Sequence, residues 1–344
     1  MMKSVRLGKT EFLVSEVGFG GIPIIPLGFE AAVSIIRRCF DRGITFFDTA
    51  NMYGDSERKI GHALETVRDK TVLATKTLKR DAEGAAKHLA LSLENLRTDC
   101  IDLYQLHNIS AKAELKEVLA PGGAYEAVSR ARSEGKVKCI GFTSHDIATS
   151  IEACRSGYFS TVQIPFNFIE HDPAAELFKI AGALDMGIIA MKPLGGGLLD
   201  RADLCFRFLQ QYPHVVPIPG LSSLKEVDEV IGFYSSPKPL SENDFEQIER
   251  IRSELGKVFC HRCGYCIPCE QKVDIPGVMI FRSMVARRLP PSRVIQMVKP
   301  AMESAENCIE CGECSEKCPY GLPIPELLKE NLALFKAYQD SPKG

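Results

Sequence analysis

The sequence carries no strong excess of charge of either sign. Its 42 lysines and arginines nearly balance its 44 aspartates and glutamates, so the formal net charge is −2. That balance gives no electrostatic argument for nucleic acid or an anionic membrane as a partner. No run approaches the ~18 consecutive apolar residues that a membrane span requires. Residues 1–8 contain no apolar core of a signal peptide. These absences predict a cytoplasmic protein with neither nucleic acid nor membrane as a partner.

Cysteine is sparse over the first 259 residues and dense afterwards. Five cysteines lie in apolar segments of the first part, and we interpret them as small buried hydrophobic residues: Cys39, Cys100, Cys139, Cys154 and Cys205. The other eight fall between Cys260 and Cys318. In a chain without a secretion signal, such a cluster indicates metal binding rather than disulfides.

Between residues 17 and 233 the sequence repeats a pattern of short apolar strand, polar loop and amphipathic helix. The eight predicted strands are residues 17–20, 45–48, 71–76, 101–107, 138–143, 161–164, 187–192 and 214–218. Eight helices alternate with them, among them residues 56–68, 82–96 and 147–155. This alternation predicts an α/β fold, a closed (β/α)₈ TIM barrel.

An open, doubly wound α/β sheet is the competing architecture. It would require a G-x-G-x-x-G turn after its first strand, and residues 18–23 (GFGGIP) do not supply one. A proline-rich break at residues 236–241 precedes one more predicted helix, residues 242–255. We therefore expect a barrel domain over residues 1–256 and a small cysteine-containing domain over residues 257–344.

Ionisable residues follow three consecutive predicted strands. Asp48 and Tyr53 come after residues 45–47, Lys76 ends the next strand, and His107 ends the one after that. The C-terminal ends of barrel strands share one face, so we expect these side chains to converge. Tyrosine has a pKa near ~10 in water. An ammonium held beside it by a carboxylate lowers that pKa, which suggests proton donation by Tyr53.

Each of these residues also has a purely structural interpretation. Asp48 alone is compatible with a helix or turn cap, and Lys76 and His107 alone are compatible with solvated strand ends. All four at matching strand ends favour an active site, in which His107 would orient a substrate carbonyl.

The sequence around these residues resembles the aldo-keto reductase family. The resembling segments are residues 47–57 (FDTANMYGDSE), 73–76 (LATK), 92–107 (SLENLRTDCIDLYQLH), 141–145 (GFTSH), 162–167 (VQIPFN) and 218–220 (IPG). They follow the family's order across residues 5 to 255. The resemblance implies hydride transfer from NADPH or NADH to an aldehyde or ketone. It makes Tyr53 the general acid, Lys76 and Asp48 its tuning groups, and His107 the orienting group.

The same resemblance implies a set of nicotinamide-cofactor contacts. Ser144, Gln163 and Asn167 occupy positions that hold the nicotinamide. Residues 192–198 (KPLGGGL) occupy the position over the pyrophosphate, where glycines allow close backbone approach; a flexible loop is the alternative. Ser223 and Glu226 have the spacing of a capping box, and a helix N-terminus suits phosphate. The full set of candidates is Gly20, Asp48, Ser144, Gln163, Asn167, Lys192, Leu194, Gly196, Gly220, Ser222, Ser223 and Lys225.

Three departures from the family pattern matter. Glu226 stands where family members often carry a basic residue for the 2′-phosphate of NADP, and Val230 replaces the usual asparagine. These two differences leave the choice between NADP and NAD open. Only residues 198–201 separate the glycines from the next predicted helix, so the family's long substrate loop is missing there.

Two cysteine runs dominate the last part of the chain. Residues 260–269 read CHRCGYCIPC and residues 308–319 read CIECGECSEKCP. The second run is a full C-x₂-C-x₂-C-x₃-C-P pattern and resembles bacterial two-cluster ferredoxins. By that resemblance one [4Fe–4S] cluster is held by Cys260, Cys263, Cys266 and Cys318, and the other by Cys308, Cys311, Cys314 and Cys269.

The first run departs from the ferredoxin spacing. Cys269 comes one residue early, and Glu270 replaces the usual proline. Zinc is the alternative metal, since paired C-x₂-C motifs also form tetrahedral sites. The third cysteine of each run and the Cys318-Pro319 pair argue against zinc. Residues 276–302 look helical, so we expect a small, mostly helical ferredoxin-like domain, as in a subset of aldo-keto reductases.

The combination of the two domains leaves three functional hypotheses open. In the first hypothesis, the chain is an NADPH- or NADH-dependent carbonyl reductase whose clusters transfer electrons to or from a partner. A hydride carries two electrons whereas a cubane cluster usually takes one, so this electron transfer implies a flavin or a redox partner protein as converter. In the second hypothesis the clusters are structural, and the enzyme reduces a small carbonyl substrate without them. In the third, the chain is a non-enzymatic redox-sensing or electron-transfer subunit.

Overall fold

The computed structural model describes residues 2–262, 264–286, 290–318 and 320–340. The chain forms two compact units. The first comprises Met1–Leu194 and Arg201–Pro239, and the second comprises Gly195–Asp200 and Leu240–Gly344. The predicted domain boundary after residue 256 lies inside the second unit. It stays a prediction, because compactness does not establish which segment folds alone.

One curled parallel sheet forms the centre of the first unit. Two strands form a separate antiparallel hairpin, β1 (Ser4–Arg6) and β2 (Leu13–Ser15). The strands of the parallel sheet are β3 (Phe19–Gly20), β4 (Phe46–Asp48), β5 (Val72–Thr77), β6 (Ile101–Leu106), β7 (Val137–Thr143), β8 (Thr161–Pro165), β9 (Gly187–Met191) and β10 (Val215–Pro217). In the described part of the chain, strands β3 to β10 pair in parallel and in sequential order. The Gly18 N–H donates to Pro217 O at 2.8 Å, so the first and last strands meet. This confirms the predicted (β/α)₈ barrel.

Strand β6 illustrates why these segments become barrel strands. All six of its residues are buried, as expected for a parallel strand covered on both faces. Its two polar residues have opposite parity and therefore point to opposite faces. Asp102 accepts the Leu73 N–H at 2.9 Å and pairs with Arg68 at 2.7 Å. Gln105 instead donates to Asp48 at 3.1 Å, at the C-terminal end of the neighbouring strands.

The helices alternate with the barrel strands and then continue alone into the second unit. They are α1 (Phe29–Asp41), α2 (Ser56–Leu64), α3 (Ala82–Leu96), α4 (Lys112–Leu119), α5 (Ala124–Ser133), α6 (Ile147–Arg155), α7 (Leu177–Ala183), α8 (Ala202–Leu209), α9 (Leu224–Ser235), α10 (Glu242–Leu255), α11 (Ile275–Met279), α12 (Phe281–Ala286), α13 (Pro291–Ala305), α14 (Glu313–Glu316) and α15 (Ile324–Asp340). The starts of α3 and α6 are fixed by aspartates, because Asp81 accepts the Gly84 N–H and Asp146 accepts the Thr149 N–H.

A hairpin of β1 and β2 packs on the barrel core. Leu7 and Val14 belong to one buried cluster with Phe46, Leu103 and Val216. The hairpin is fixed from outside by Arg6, whose Nη2 lies 2.7 Å from Asp185 Oδ1, just before β9 begins. Asp185 precedes a strand, so the hairpin lies at the N-terminal ends of the strands. The opposite, C-terminal end is where the candidate active site lies.

Helices are the regular secondary structure of the second unit in residues 240–262, 264–286, 290–318 and 320–340, and much of both cysteine runs lies in the non-helical segments between α10 and α11 and between α13 and α14. Helices α11, α13 and α15 contribute buried apolar side chains to its core, among them Val278, Val298 and Phe335. This confirms the expected mostly helical ferredoxin-like region. No helix among the described residues is long and apolar enough to cross a bilayer.

Candidate active site and metal centre

Three adjacent strands deliver the predicted catalytic residues to one end of the barrel. Asp48 is the last residue of β4 and lies in register with Ala74 of β5. Lys76, on β5, is in register with Gln105 of β6. His107 follows β6, and its N–H donates to Thr77 O at 2.9 Å, which continues the strand pairing by one residue.

Asp48 and Lys76 form a buried ion pair. Lys76 Nζ lies 2.5 Å from Asp48 Oδ1 and donates to Thr49 O at 2.6 Å. Only 1% of the Lys76 side chain and 3% of the Asp48 side chain are exposed, which removes solvent screening. Burial raises the pKa of Asp48, and the Lys76 ammonium together with hydrogen bonds from Gln163 and Gln105 counteracts that rise. The pair therefore presents a fixed ammonium at the strand ends.

Tyr53 lies beside this ammonium. It belongs to the loop between β4 and α2, where its N–H donates to Ala50 O at 2.9 Å. Lys76 Nζ is 5.3 Å from the centroid of the Tyr53 ring. The His107 ring meets the Tyr53 ring edge-on, with centroids 5.8 Å apart. The structure thus brings Asp48, Tyr53, Lys76 and His107 together.

His107 is held as a neutral imidazole. Burial, and then the positive charges of Lys76 and Arg80, lower its pKa from 6.5 to about 3. Its Nδ1 is buried and has no hydrogen-bond partner among the described residues. A neutral ring whose Nδ1 is enclosed by protein leaves Nε2 as the nitrogen suited to a ligand.

The predicted nicotinamide contacts lie on the next strands. Ser144, directly after β7, donates to Asp146 O at 3.1 Å, and Gln163 of β8 accepts from Gln105 at 2.9 Å. Asn167 follows β8, but its amide is already used locally. Its Oδ1 accepts the N–H groups of Ile169 and Glu170, and its Nδ2 donates to Glu170 and to Lys192 O.

Lys192, directly after β9, belongs to a polar chain that crosses three strand ends. Its Nζ lies 2.7 Å from Nε2 of His145. The other ring nitrogen of His145 lies 2.9 Å from Asn108 Oδ1. An ammonium can only donate, so His145 carries its proton on Nδ1 and donates it to Asn108. Neither His145 nor Asn108 was among the catalytic or cofactor-binding residues that the sequence predicted.

The predicted phosphate site at α9 is already occupied by a carboxylate. Ser223 caps the helix and accepts the Glu226 N–H at 3.2 Å. Glu226 Oε2 accepts from Ser222 N at 2.7 Å and from Ser222 Oγ at 2.9 Å. The carboxylate therefore reaches one residue further back than in the capping box that the spacing predicted. Lys225 lies in the first turn of the same helix.

The remaining cofactor candidates are glycines and one leucine. A Cβ at Gly20 would lie 2.8 Å from Ile218 O, and a Cβ at Gly220 would collide with Pro23, so both glycines permit barrel closure. Leu194 ends the first part of the first unit, whereas Gly196 belongs to the second unit. Gly196 has a φ of 72°, and its two neighbours are also glycines with positive φ. Three successive residues with positive φ form a conformation that glycine adopts readily, and their approach to a pyrophosphate stays a prediction.

One set of predicted cluster ligands lines a cavity in the second unit. Cys260, Cys266 and Cys318 line one small pocket that is partly open to solvent. The predicted fourth ligand, Cys263, lies outside the described residues, as does Pro319. Apolar side chains complete the cavity wall, among them Ile275, Met279, Leu322 and Ile324.

The second set of predicted ligands is also brought close together. Burial raises the pKa of the Cys314 thiol, and the nearby Cys308 and Cys311 thiols raise it further. Lys317, whose pKa Glu313 raises, is influenced in the same direction by both Cys311 and Glu270. Glu270 is the residue after Cys269, and within the described residues no more than this electrostatic effect links the first run to the second at this point.

The donor set, which consists of cysteine thiols, fits a cubane cluster. A cubane takes one thiolate for each iron, so its ligands surround a volume instead of converging. Cys260, Cys266 and Cys318 line the same pocket, as three ligands of one cluster would.

The five scattered cysteines are only partly as predicted. Cys39, Cys154 and Cys205 are buried, whereas Cys100 and Cys139 are partly exposed near strand starts. Sequence reasoning also missed Gln105, which donates to both Asp48 and Gln163. The sequence does contain an indication of this role. Gln105 is an amide in an otherwise mostly apolar strand, and it lies two residues before His107, so both side chains point to the same side of the strand.

Comparisons with known proteins agree with this geometry. Residues 16–205 match the aldo/keto reductase family, and residues 259–323 match a 4Fe-4S dicluster domain. A probable aldo-keto reductase of Glycine max is 27% identical over 72% of this chain and 88% of its own length. The holo form of an aldo-keto reductase from Bacillus halodurans superposes with a TM-score of 0.63 at 22% identity, over 73% of this chain and 96% of that one.

A second solved structure gives the same fold. The aldo-keto reductase of Klebsiella pneumoniae in complex with NADPH has a TM-score of 0.63 and 23% identity, over 73% of this chain and 95% of that one. The barrel, the strand-end residues and the family match together define an oxidoreductase. The chain belongs to the aldo/keto reductase family and carries a C-terminal 4Fe-4S dicluster domain.

Proposed function

We propose that this protein reduces an aldehyde or ketone with a nicotinamide cofactor, and that Tyr53 donates the proton to the carbonyl oxygen. The observation that carries the proposal is the buried Lys76–Asp48 pair, whose ammonium lies 5.3 Å from the Tyr53 ring centroid. Tyrosine requires such a partner to act as an acid near neutral pH.

Lys76 stabilises the phenolate that Tyr53 becomes when its proton leaves. Asp48 and Thr49 O fix the ammonium at 2.5 Å and 2.6 Å, so it is already in place before the charge on oxygen develops. Because both charged side chains are buried, their effect is far less screened than at a protein surface. Asp48 thus acts on Tyr53 through Lys76.

His107 orients the substrate carbonyl. Its pKa of about 3 keeps the ring neutral, so a proton on Nε2 can be donated as a hydrogen bond without adding a second positive charge beside Lys76. A neutral donor leaves Tyr53 as the group that transfers the proton. The substrate class that this supports is a small aldehyde or ketone.

The residues of β7, β8 and β9 would hold the cofactor. When bound, the nicotinamide supplies the hydride. Ser144, Gln163 and Lys192 offer polar groups at consecutive strand ends, as nicotinamide and phosphate recognition requires. The NADPH of the Klebsiella neighbour supports NADP. Glu226 at the start of α9 opposes an added phosphate there, so both NADP and NAD belong to the proposal.

A Tyr53→Phe variant tests the proposal. Loss of the phenol should lower kcat for carbonyl reduction by about 10²- to 10⁴-fold, because general acid catalysis contributes that much. Nicotinamide affinity and thermal stability should stay unchanged. Tyr158→Phe is the matched control, since the Tyr158 side chain is 47% exposed and lies away from the site. A Tyr53→Phe variant that works at the unaltered rate would show that Tyr53 is not the proton donor.

We further propose that the 4Fe-4S domain transfers electrons to or from a flavin or a redox partner protein. Exposure of the second cysteine run supports this: Cys311 is exposed and the adjacent Ile309 is 65% exposed. Electron transfer to a partner requires such an accessible cluster edge.

A structural role for the clusters is the second candidate, and one observation favours it. The segment Gly195–Asp200 belongs to the second unit, although it follows β9. A Cβ at Gly195 would lie 3.6 Å from the Phe259 ring, and Phe259 directly precedes Cys260. A bound cluster would therefore stabilise this short segment through Phe259.

A further inference from the structure

Arg80 contacts the backbone just after β6, where His107 and Asn108 form a turn. We propose that Arg80 is a positioning residue, which fixes the backbone of His107 and Asn108 and thereby aims the His107 ring at the carbonyl substrate. This inference rests on the proposed function, because it assigns His107 the orienting role.

The guanidinium of Arg80 donates to three acceptors. Nη1 donates to His107 O at 2.8 Å, and Nη2 donates to Asn108 O at 2.9 Å and to Glu114 Oε1 at 3.0 Å. Only 16% of the side chain is exposed, so the fork is held by the protein and not by water. A planar fork of donors fixes two successive carbonyls in a way that a single ammonium does not.

These two carbonyls belong to a sharp turn. Asn108 has a φ of 56°, the left-handed conformation that asparagine tolerates better than most residues. The His107 N–H donates to Thr77 O, and the Asn108 N–H donates to Thr143 Oγ1 at 2.8 Å. With both N–H groups and both carbonyls bonded, the two peptide planes around His107 are fixed. The direction of its Cα–Cβ bond follows from those planes.

Glu114 connects this arrangement to helix α4. Its Oε1 accepts from Arg80, and its Oε2 accepts the N–H groups of Ser110 at 2.8 Å and Ala111 at 3.2 Å. One carboxylate thus holds both the guanidinium and the start of the helix that follows the His107 turn. Charge-assisted hydrogen bonds of this kind are stronger than neutral ones.

The effect of Arg80 is chiefly geometric. The charged and titratable groups that face His107 are Tyr53, Lys76 and Arg80. Glu114 is paired with Arg80 and acts on His107 only through that pair. Burial is the largest cause of the low His107 pKa, and Lys76 comes second. Loss of Arg80 therefore leaves the ring neutral, and the pH profile of the reaction should keep its shape.

Arg80→Ala tests the proposal when the kinetic constants for the carbonyl substrate and for the nicotinamide are measured separately. We expect kcat/KM for the carbonyl substrate to fall about 10²-fold, as small misplacements of an orienting group do. KM for the nicotinamide should change less, because Arg80 reaches Lys192 only indirectly, through Asn108 and His145. Added guanidinium should restore part of the activity and methylammonium should not, and Arg80→Lys should remain impaired, because only a planar fork reaches both carbonyls.

Arg68 provides a matched control at the other end of the same two strands. It donates to Thr71 O at 3.0 Å and to Cys100 O at 2.6 Å, pairs with Asp102, and is 20% exposed. Arg68→Ala removes an equivalent fork far from His107, so it should lower thermal stability and leave the kinetic constants of the folded enzyme unchanged.

The outcomes separate this inference from the proposed function. Arg80→Ala with unaltered kinetic constants, or with losses equal to those of Arg68→Ala, overturns the positioning role. If the unaltered protein reduces no carbonyl compound, the proposed function fails. The positioning role is then decided by NMR of the His107 imidazole, whose signals should shift and broaden in Arg80→Ala but not in Arg68→Ala; an unperturbed His107 signal in Arg80→Ala overturns it.

Discussion

His107 shows how burial, rather than residue type, sets the chemistry of a single side chain. In the sequence it is a histidine at a strand end, equally compatible with a solvated position. In the structure, burial and two neighbouring cations lower its pKa to about 3. The neutral ring is what makes a hydrogen-bond donor beside Lys76 tolerable. No pattern of residues along the chain reports that degree of burial.

The low pKa of His107 makes a prediction about stability and pH. The folded pKa of about 3 lies below the ordinary value of 6.5, so between these limits the unfolded chain binds the extra proton. The stabilising contribution is complete above about pH 6.5 and is lost as the pH falls towards about 3. The slope it adds is at most ~1.4 kcal/mol per pH unit.

Denaturant unfolding of the unaltered protein and of His107→Gln measures this contribution. We expect the free energy of unfolding of the unaltered protein to fall more steeply between about pH 6.5 and 4.5. Comparing the two proteins removes the pH dependence that other groups share. Parallel curves for the two proteins would contradict a neutral, buried His107.

The β3–α1 loop shows the same dependence on tertiary contacts at the scale of an element. Lys59 of α2 is only 1% exposed and donates to Ile24 O at 2.9 Å, Ile25 O at 3.2 Å and Leu27 O at 2.8 Å. Its ammonium also pairs with Asp55 at 2.8 Å. One buried cation therefore gives a loop without regular structure a fixed path.

Lys59→Met should destabilise the barrel strongly. The substitution keeps most of the side-chain volume but leaves three carbonyls without their shared donor, and removing one partner from a buried charged network typically costs ~3 kcal/mol. Chemical denaturation measures the change. Lys87→Met is the control, since Lys87 is 73% exposed in its pair with Glu83 and should contribute nothing measurable. Equal midpoints for the two variants would show that Lys59 does not hold the loop.

Element bounds were predictable where local signals agree. Helices α3, α6 and α10 begin and end at the predicted residues, and each begins after a residue whose side chain accepts a backbone N–H. The predicted helix 56–68 instead ends at Leu64, and a 3₁₀ segment, Glu65–Lys70, contains a non-helical Val67. The predicted helix over residues 276–302 is divided into α11, α12 and α13, and prolines stand at the start of α13.

Helix α4 was not among the predicted helices. Of its eight residues, Leu115 and Val118 are buried. Its position is determined by Glu114, which holds both the preceding backbone and Arg80. Contacts between Glu114 and the distant Arg80 therefore help to stabilise the start of this helix.

At the scale of the whole molecule, two cysteine runs far apart in sequence are brought into one unit. Cys318 lines the same cavity as Cys260 and Cys266, although more than fifty residues separate them. The fold of α11, α13 and α15 creates this proximity, because these helices pack together between and after the runs. The position of Cys318 therefore agrees with the crossed ligand set that the ferredoxin resemblance implies for the first cluster.

Iron content after anaerobic purification tests the two ligand sets. Two cubanes hold ~8 iron atoms per chain. Cys266→Ser and Cys311→Ser should each remove about half of the iron, and the double variant nearly all of it. Cys205→Ser is the control, since Cys205 is buried in the barrel. Stoichiometric zinc in place of iron, or full iron content in the double variant, would contradict the assignment.

The same variants distinguish the two roles of the clusters. If the clusters transfer electrons, their loss abolishes exchange with a redox partner and leaves carbonyl reduction by Tyr53 unchanged. If they are structural, their loss lowers the stability of the second unit.

The sequence by itself determined the barrel, the four residues at adjacent strand ends and the two cysteine runs. These depend on local periodicity and on the fixed rule that parallel strands end at one face. Only the tertiary structure decided that Asp48 and Lys76 are buried as a pair, that His107 is neutral, and that Arg80 and Lys59 hold loops through backbone carbonyls. Burial and long-range hydrogen bonds depend on where distant segments pack, and no short stretch of sequence contains that information.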